Sequence, residues 1–131
     1  MSKENVEIVR EAYAAWNAGD TDTMRELFDP DITWRPPAGW PEQGPFVGRE
    51  AVVRWFEQLL EVFTAYSTEL VGDALETDDA VIVRQIWHGA GHGPDAAIEA
   101  TSIITLRNGR IAGVEQFWDH AEALEAAGLS E

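Results

Sequence analysis

The apolar spacing of this chain changes period once, just after Phe63, and few architectures accommodate the change. From Arg49 to Phe63 the side chains Val52, Trp55, Phe56, Leu59, Leu60 and Phe63 recur on one helix face. Beyond them, Thr68–Leu75, Ala80–His88, Ala96–Arg107 and Arg110–Trp118 carry strand patterning and are separated by turn residues. Asn108-Gly109 is the preferred pair for a type I′ hairpin, so the last two segments lie antiparallel and adjacent. A long amphipathic helix followed by consecutive strands predicts an α+β domain whose sheet packs on that helix.

The N-terminal half supplies shorter elements. Val6, Val9, Tyr13 and Trp16 form the stripe of a helix over Val6–Trp16, and Asn17-Ala18-Gly19-Asp20 stops it. Asp20 is placed to cap a short helix through Met24, Leu27 and Phe28, which ends at Asp29-Pro30. A brief strand follows over Asp31–Arg35. Pro36 to Gly48 is rich in proline and glycine and reads as a long ordered loop, with Trp40 and Phe46 as candidate lid residues over a cavity. At the other end Asp119, with Glu122 three residues on, caps a last helix that finishes before Gly128. No repeat or linker divides the chain, so residues 1–131 are expected to form one domain.

Composition narrows the function. The chain has no cysteine, which removes disulfides and thiol chemistry and fits a cytoplasmic location. With 24 acidic against 9 basic residues, it would repel a nucleic-acid backbone. No apolar run approaches membrane-spanning length. His88 and His92 are four apart, but Gly89, Gly91 and Gly93 place them in a loop, where that spacing aligns no two ligands; neither a metal nor a cofactor is expected. The six tryptophans are the most informative feature, since so many large amphipathic rings must line a core, an interface or a cavity.

Several of these segments, taken in order, carry a resemblance. Asn17-Ala18-Gly19-Asp20, Asp29-Pro30-Asp31 before a Trp-bearing strand, Gly48-Arg49-Glu50, Asn108-Gly109-Arg110-Ile111 and the tail Ala121–Leu129 resemble SnoaL-like proteins of the nuclear-transport-factor-2-like superfamily. The resemblance spans nearly the whole chain. It implies a cone-like curved antiparallel β-sheet wrapped around a long helix, with N-terminal helices, a short C-terminal helix and a pocket inside the cone. The family includes polyketide cyclases, ketosteroid isomerases and epoxide hydrolases, and its members are often dimeric.

The hairpin turn suggests a register. If Arg107 pairs with Arg110, Thr105, Ile103, Thr101 and Glu99 share a face with Ala112, Val114, Gln116 and Trp118. The other face then carries Ile98, Ala100, Ser102, Ile104 and Leu106 with Gly113, Glu115 and Phe117. Both faces are largely apolar with one acid each, so burial alone does not choose. The resemblance of Glu115–Asp119 to the last strand of epoxide hydrolases and isomerases implies that Gln116 and Trp118 point inward, which makes Glu99, Thr101, Gln116 and Trp118 the expected pocket set. By the same comparison Trp16, Phe28, Trp34, Trp55, Phe56, Val83, Gln85 and Trp87 line the cavity, with simple core packing as the alternative for these rings.

The resemblance also shows what is missing. Pro36 stands where an isomerase has its general-base Asp, Ala12 near its oxyanion Tyr, and Thr101 or Ser102 at its second acid. Gln116 stands where an epoxide hydrolase has the Asp that activates water, and an amide cannot act as that base. Glu99 remains as the candidate catalytic acid or base, its pKa expected to rise if it is buried among tryptophans. Two functional classes therefore stay open: a cyclase, isomerase or hydratase acting on a hydrophobic or aromatic molecule, and a protein that binds such a ligand without chemistry. A third is an interaction module. A homodimer through the outer sheet face is expected if Ile98, Ala100, Ile104, Leu106 and Phe117 lie there.

Overall fold

A computed structural model describes residues 2–40, 44–91 and 96–129. The first helix, α1, spans Ser2–Ala18 and buries Val9, Ala15 and Trp16. Gly19, at φ +70°, ends it in the left-handed region, and a Cβ there would also lie 2.9 Å from the Tyr66 hydroxyl. Asp20 then caps α2 (Thr21–Leu27) by accepting from the Thr23 amide at 3.1 Å. The strand β1 starts at once, at Phe28, and runs to Arg35, three residues earlier than its pattern suggested.

The loop after β1 contains one short strand, β2 (Phe46–Val47), which pairs antiparallel with Thr33 and Trp34. The long helix α3 (Arg49–Val62) follows, with Val52, Val53, Trp55 and Phe56 buried. Four strands come next: β3 (Phe63–Glu76), β4 (Ala80–Gly91), β5 (Ala96–Arg107) and β6 (Arg110–Phe117). Asp119 caps α4 (His120–Ala126) by accepting from the Ala121 amide at 2.9 Å, and Gly128, at φ +78°, follows its end.

The strands form a six-stranded sheet in the order β2-β1-β6-β5-β4-β3. It is a curved, cone-like α+β sheet packed on α3, as the resemblance implied, with one departure: β1 lies parallel to β6, so the sheet is mixed. α1, α2 and α3 cover its concave side, and α4 docks on the convex side, where Thr101 Oγ1 and His120 Nδ1 are 3.0 Å apart. Among the described residues no helix is long and apolar enough to cross a membrane.

The β5–β6 hairpin corrects the expected register. Its Asn108-Gly109 turn has the two positive φ angles of a type I′ turn, 55° and 76°, and Arg107 does pair with Arg110. Leu106 then pairs with Ile111, but Thr105 pairs with Gly113, leaving Ala112 as the extra residue of a β-bulge. Because side chains alternate with period two, this single residue exchanges the faces of β5 relative to β6. Gln116 now faces Ser102 rather than Thr101, and Phe117 faces Thr101.

Candidate functional site

The concave side of the sheet and the inner faces of α1 and α3 enclose a cavity of about 380 Å³. That volume lies in the usual range for small-molecule sites. All six tryptophans of the chain contribute to its wall: Trp16 from α1, Trp34 from β1, Trp55 from α3, Trp87 from β4, and Trp40 and Trp118 beside the Pro36–Trp40 segment. The rings brace one another. Trp34 meets Phe56 edge-on at 4.9 Å between centroids and Trp55 edge-on at 6.0 Å, while Trp55 stacks on Phe46 at 4.4 Å. Among the described lining residues none is Asp, Glu, His, Lys or Arg.

Tyr13, Trp34, Gln85 and Gln116 bring polar groups to the wall, and Ser102, fully buried behind it, connects them as one relay. Trp34 Nε1 donates to Gln116 Oε1 at 3.1 Å; Gln116 Nε2 donates to Ser102 Oγ at 3.2 Å; Ser102 Oγ donates to Gln85 Oε1 at 2.8 Å. The Tyr13 hydroxyl also donates to Gln85 Oε1. Five elements, α1, β1, β4, β5 and β6, are thus tied at the floor of the cavity. The Tyr13 residue as a whole is half-buried, but its hydroxyl end lies in the interior, and that burial pushes its pKa above the usual phenol value.

Two further contacts shape the site. The Asn17 side chain bonds Thr68 on both backbone groups, donating to its carbonyl at 3.0 Å and accepting from its amide at 2.7 Å, which fixes the end of α1 against β3. At the mouth, Trp118 Nε1 donates to the Ala38 carbonyl at 2.7 Å, and its ring centroid lies 6.3 Å from that of Trp40. Trp118 is 46 % exposed, so the strap formed by Pro37 to Trp40 is held from the solvent side.

Of the residues singled out from sequence, the structure brings Trp16, Phe28, Trp34, Trp55, Phe56, Gln85, Trp87, Gln116 and Trp118 around this cavity. Val83 shares their face of β4 but is buried in the core without forming the cavity wall. Glu99 and Thr101 are corrections. The bulge at Ala112 turns both to the convex face, where Glu99 is exposed and bonds Arg84 Nη2 at 2.9 Å, and Thr101 is sealed under α4 against His120. Neither reaches the cavity. The same exchange moves Ile98, Ala100 and Ile104 onto the cavity wall and Leu106 into the core, leaving Phe117 alone of the five residues expected on the outer face.

Of the two candidate lid residues, Trp40 lies on the cavity wall, whereas Phe46 belongs to β2 and packs against Trp55. His92 and residues 41–43 of the Pro36–Gly48 segment lie outside the described residues. Among the described residues no group of three or more His, Asp or Glu could hold a metal ion. Tyr13 and Ser102 join the site without a signal in the sequence: Tyr13 fits the helix stripe, and a regular register puts Ser102 outside.

An aromatic pocket inside a curved sheet, closed by an N-terminal helix and a long central one, defines a cone-shaped α+β class of protein with a cavity inside the sheet. Residues 9–114 match the SnoaL-like domain model, and the chain belongs to that family. Among solved structures, it is similar to Bal32a from a soil-derived mobile gene cassette, with 28% identity, 88% of each chain covered and a TM-score of 0.81. TerC co-crystallized with polyporic acid is similar at 20% identity, over 93% of this chain and 96% of that one, with a TM-score of 0.77. An LEH-like epoxide hydrolase from M. tuberculosis shares the fold at 13% identity, over 90% and 84% of the two chains, with a TM-score of 0.77. No curated protein matches the chain.

Proposed function

We propose that this protein binds a hydrophobic, aromatic small molecule inside the cone and holds it without general acid–base chemistry. One observation carries the reading: every tryptophan of the chain converges on one cavity whose described walls bear no charged side chain. A general acid or base works when its pKa lies near the operating pH and it reaches the reacting atom. Tyr13, whose hydroxyl burial holds in its neutral form, is the one titratable group among the described lining residues. Gln85 and Gln116 are amides and do not titrate. The catalytic alternative depended on Glu99, which stands on the opposite side of the sheet and is paired with Arg84.

Native mass spectrometry of the freshly purified protein tests the reading. A retained organic mass that leaves on mild activation supports it. Turnover of that compound by the wild-type protein would restore the enzymatic alternative. The homodimer through the outer sheet face is proposed with Ile86, Ile103 and Phe117 as its apolar residues, since these alternate outward with Glu99 and Thr101. Sedimentation at micromolar concentration tests it, a monomer being the contrary result. A cytoplasmic location is proposed alongside and is checked by cell fractionation.

A further inference from the structure

The direction of every bond in the cavity relay is set from one end. An indole nitrogen is a donor only, so Trp34 obliges Gln116 to present its oxygen, and the Gln116 nitrogen is then directed at Ser102. Ser102 is fully buried, and its one proton goes to Gln85 Oε1, which also receives the Tyr13 proton. Rotating the Gln85 amide by half a turn would put a donor where both hydroxyls now donate; since Tyr13 and Ser102 can bond only each other instead, at least one of the two protons would be left without an acceptor in the interior.

The fixed orientation has a consequence for Gln85 itself. Its amide nitrogen, with two N–H groups, has no hydrogen-bond partner among the described residues, although the residue is only 8 % exposed. Among the described residues the sealed side-chain atoms without a hydrogen bond are Arg49 Nε and Trp55 Nε1; Gln85 Nε2 is not one of them, so it opens on the cavity that the residue lines. A buried donor pair of this kind is costly until it meets an acceptor.

We infer that Gln85 Nε2 is the specificity-determining group of this pocket and that it receives a neutral hydrogen-bond acceptor, a carbonyl-type oxygen on a flat aromatic ligand. This rests on the proposed binding function and names the class of ligand. Charge separates the candidates. Amide N–H groups oppose a cation, although aromatic rings alone would welcome one. The ring faces carry negative quadrupole density and oppose an anion, for which no described lining residue supplies a cation. A neutral acceptor satisfies the amide and is compatible with the rings.

A matched series tests this: fluorene, fluorenone, fluorenecarboxylate and fluorenyltrimethylammonium, titrated against the full-length protein by calorimetry and tryptophan fluorescence. Fluorenone is expected to bind roughly tenfold more tightly than fluorene, from one hydrogen bond to a donor otherwise left unpaired, and both ions more weakly than fluorene. Gln85→Met should erase the gap between fluorenone and fluorene. Gln85→Glu, in mildly alkaline buffer, keeps an oxygen for Tyr13 and Ser102 while removing the N–H groups, and should also erase the gap. Equal affinity for fluorene and fluorenone in the wild type, preference for either ion, or a gap that survives in a folded Gln85 variant would overturn the inference while leaving the pocket standing. If no member of the series binds, the binding function falls with it.

Discussion

Ser102 Oγ and Gln116 Nε2 meet at 3.2 Å behind the cavity wall although they lie at unequal distances from the Asn108-Gly109 turn, Gln116 being one residue further along its strand. The extra residue is Ala112. Without it Gln116 would oppose Thr101, and the polar relay would be cut between two faces of the sheet. Deletion of Ala112 should therefore cost about 3 kcal/mol or more, since a whole strand would exchange its apolar and polar faces. Ala112→Ser should stay within about 1 kcal/mol. Urea unfolding of both variants checks the pair, and a well-folded deletion variant would contradict the bulge assignment.

Ser102→Ala removes the middle of the relay. It leaves one Gln116 proton and part of the Gln85 oxygen without their partner, and the expected loss is about 1–3 kcal/mol, as for other buried groups so orphaned. Denaturant melts measure it. A change below about 0.5 kcal/mol would mean that the relay is not sealed from water.

The Tyr13 hydroxyl predicts a pH dependence. Its pKa is raised in the folded state by burial, so on raising the pH the unfolded chain loses the proton first. The stability it contributes is present below the unfolded value of about 10 and is lost as the pH climbs from there toward the folded value. The slope for one such group is at most about 1.4 kcal/mol per pH unit. Thermal melts of wild type and Tyr13→Phe in this alkaline window should converge as the pH rises; parallel curves would place the hydroxyl in contact with solvent.

The two rings near the mouth separate by their contacts. Trp40 is half-buried at the cavity edge beside Trp118, so Trp40→Ala should weaken ligand binding while changing stability by about 1 kcal/mol or less. Phe46 stacks on Trp55, and Phe46→Ala should cost about 1–3 kcal/mol, below the range for a fully buried ring because Phe46 is partly exposed. Thermal melts and ligand titration of the two variants give the comparison. Similar stability losses in both would remove the distinction between strap and core.

Much of the fold was legible because its signals are local. Asp20, Asp119, Gly19 and the Asn108-Gly109 turn each act within a few residues, and each stands where its chemistry requires. The apolar stripe of α3 predicted that helix to within a residue. The parallel pairing of β1 with β6 has no such local signal, because it joins strands far apart in sequence. The site was legible where a face was fixed by bulk: the tryptophans had few other places to go. It was misread where one residue decided the face. Ala112 in a bulge looks like any alanine in a strand, so Glu99 was placed inside and Ser102 outside, the reverse of the structure. Glu99→Gln should accordingly change stability by less than about 1 kcal/mol, the usual range for an exposed ion pair such as Arg84–Glu99.

The convergence of all six tryptophans on one ligand cavity is tested most directly by following their indole N–H signals in a heteronuclear NMR titration with fluorenone. The six signals are expected to shift together along one saturable curve, with Trp34, held by Gln116, and Trp55 among them. Shifts confined to Trp40 and Trp118 at the mouth, or six signals that do not respond to any neutral aromatic compound, would contradict it.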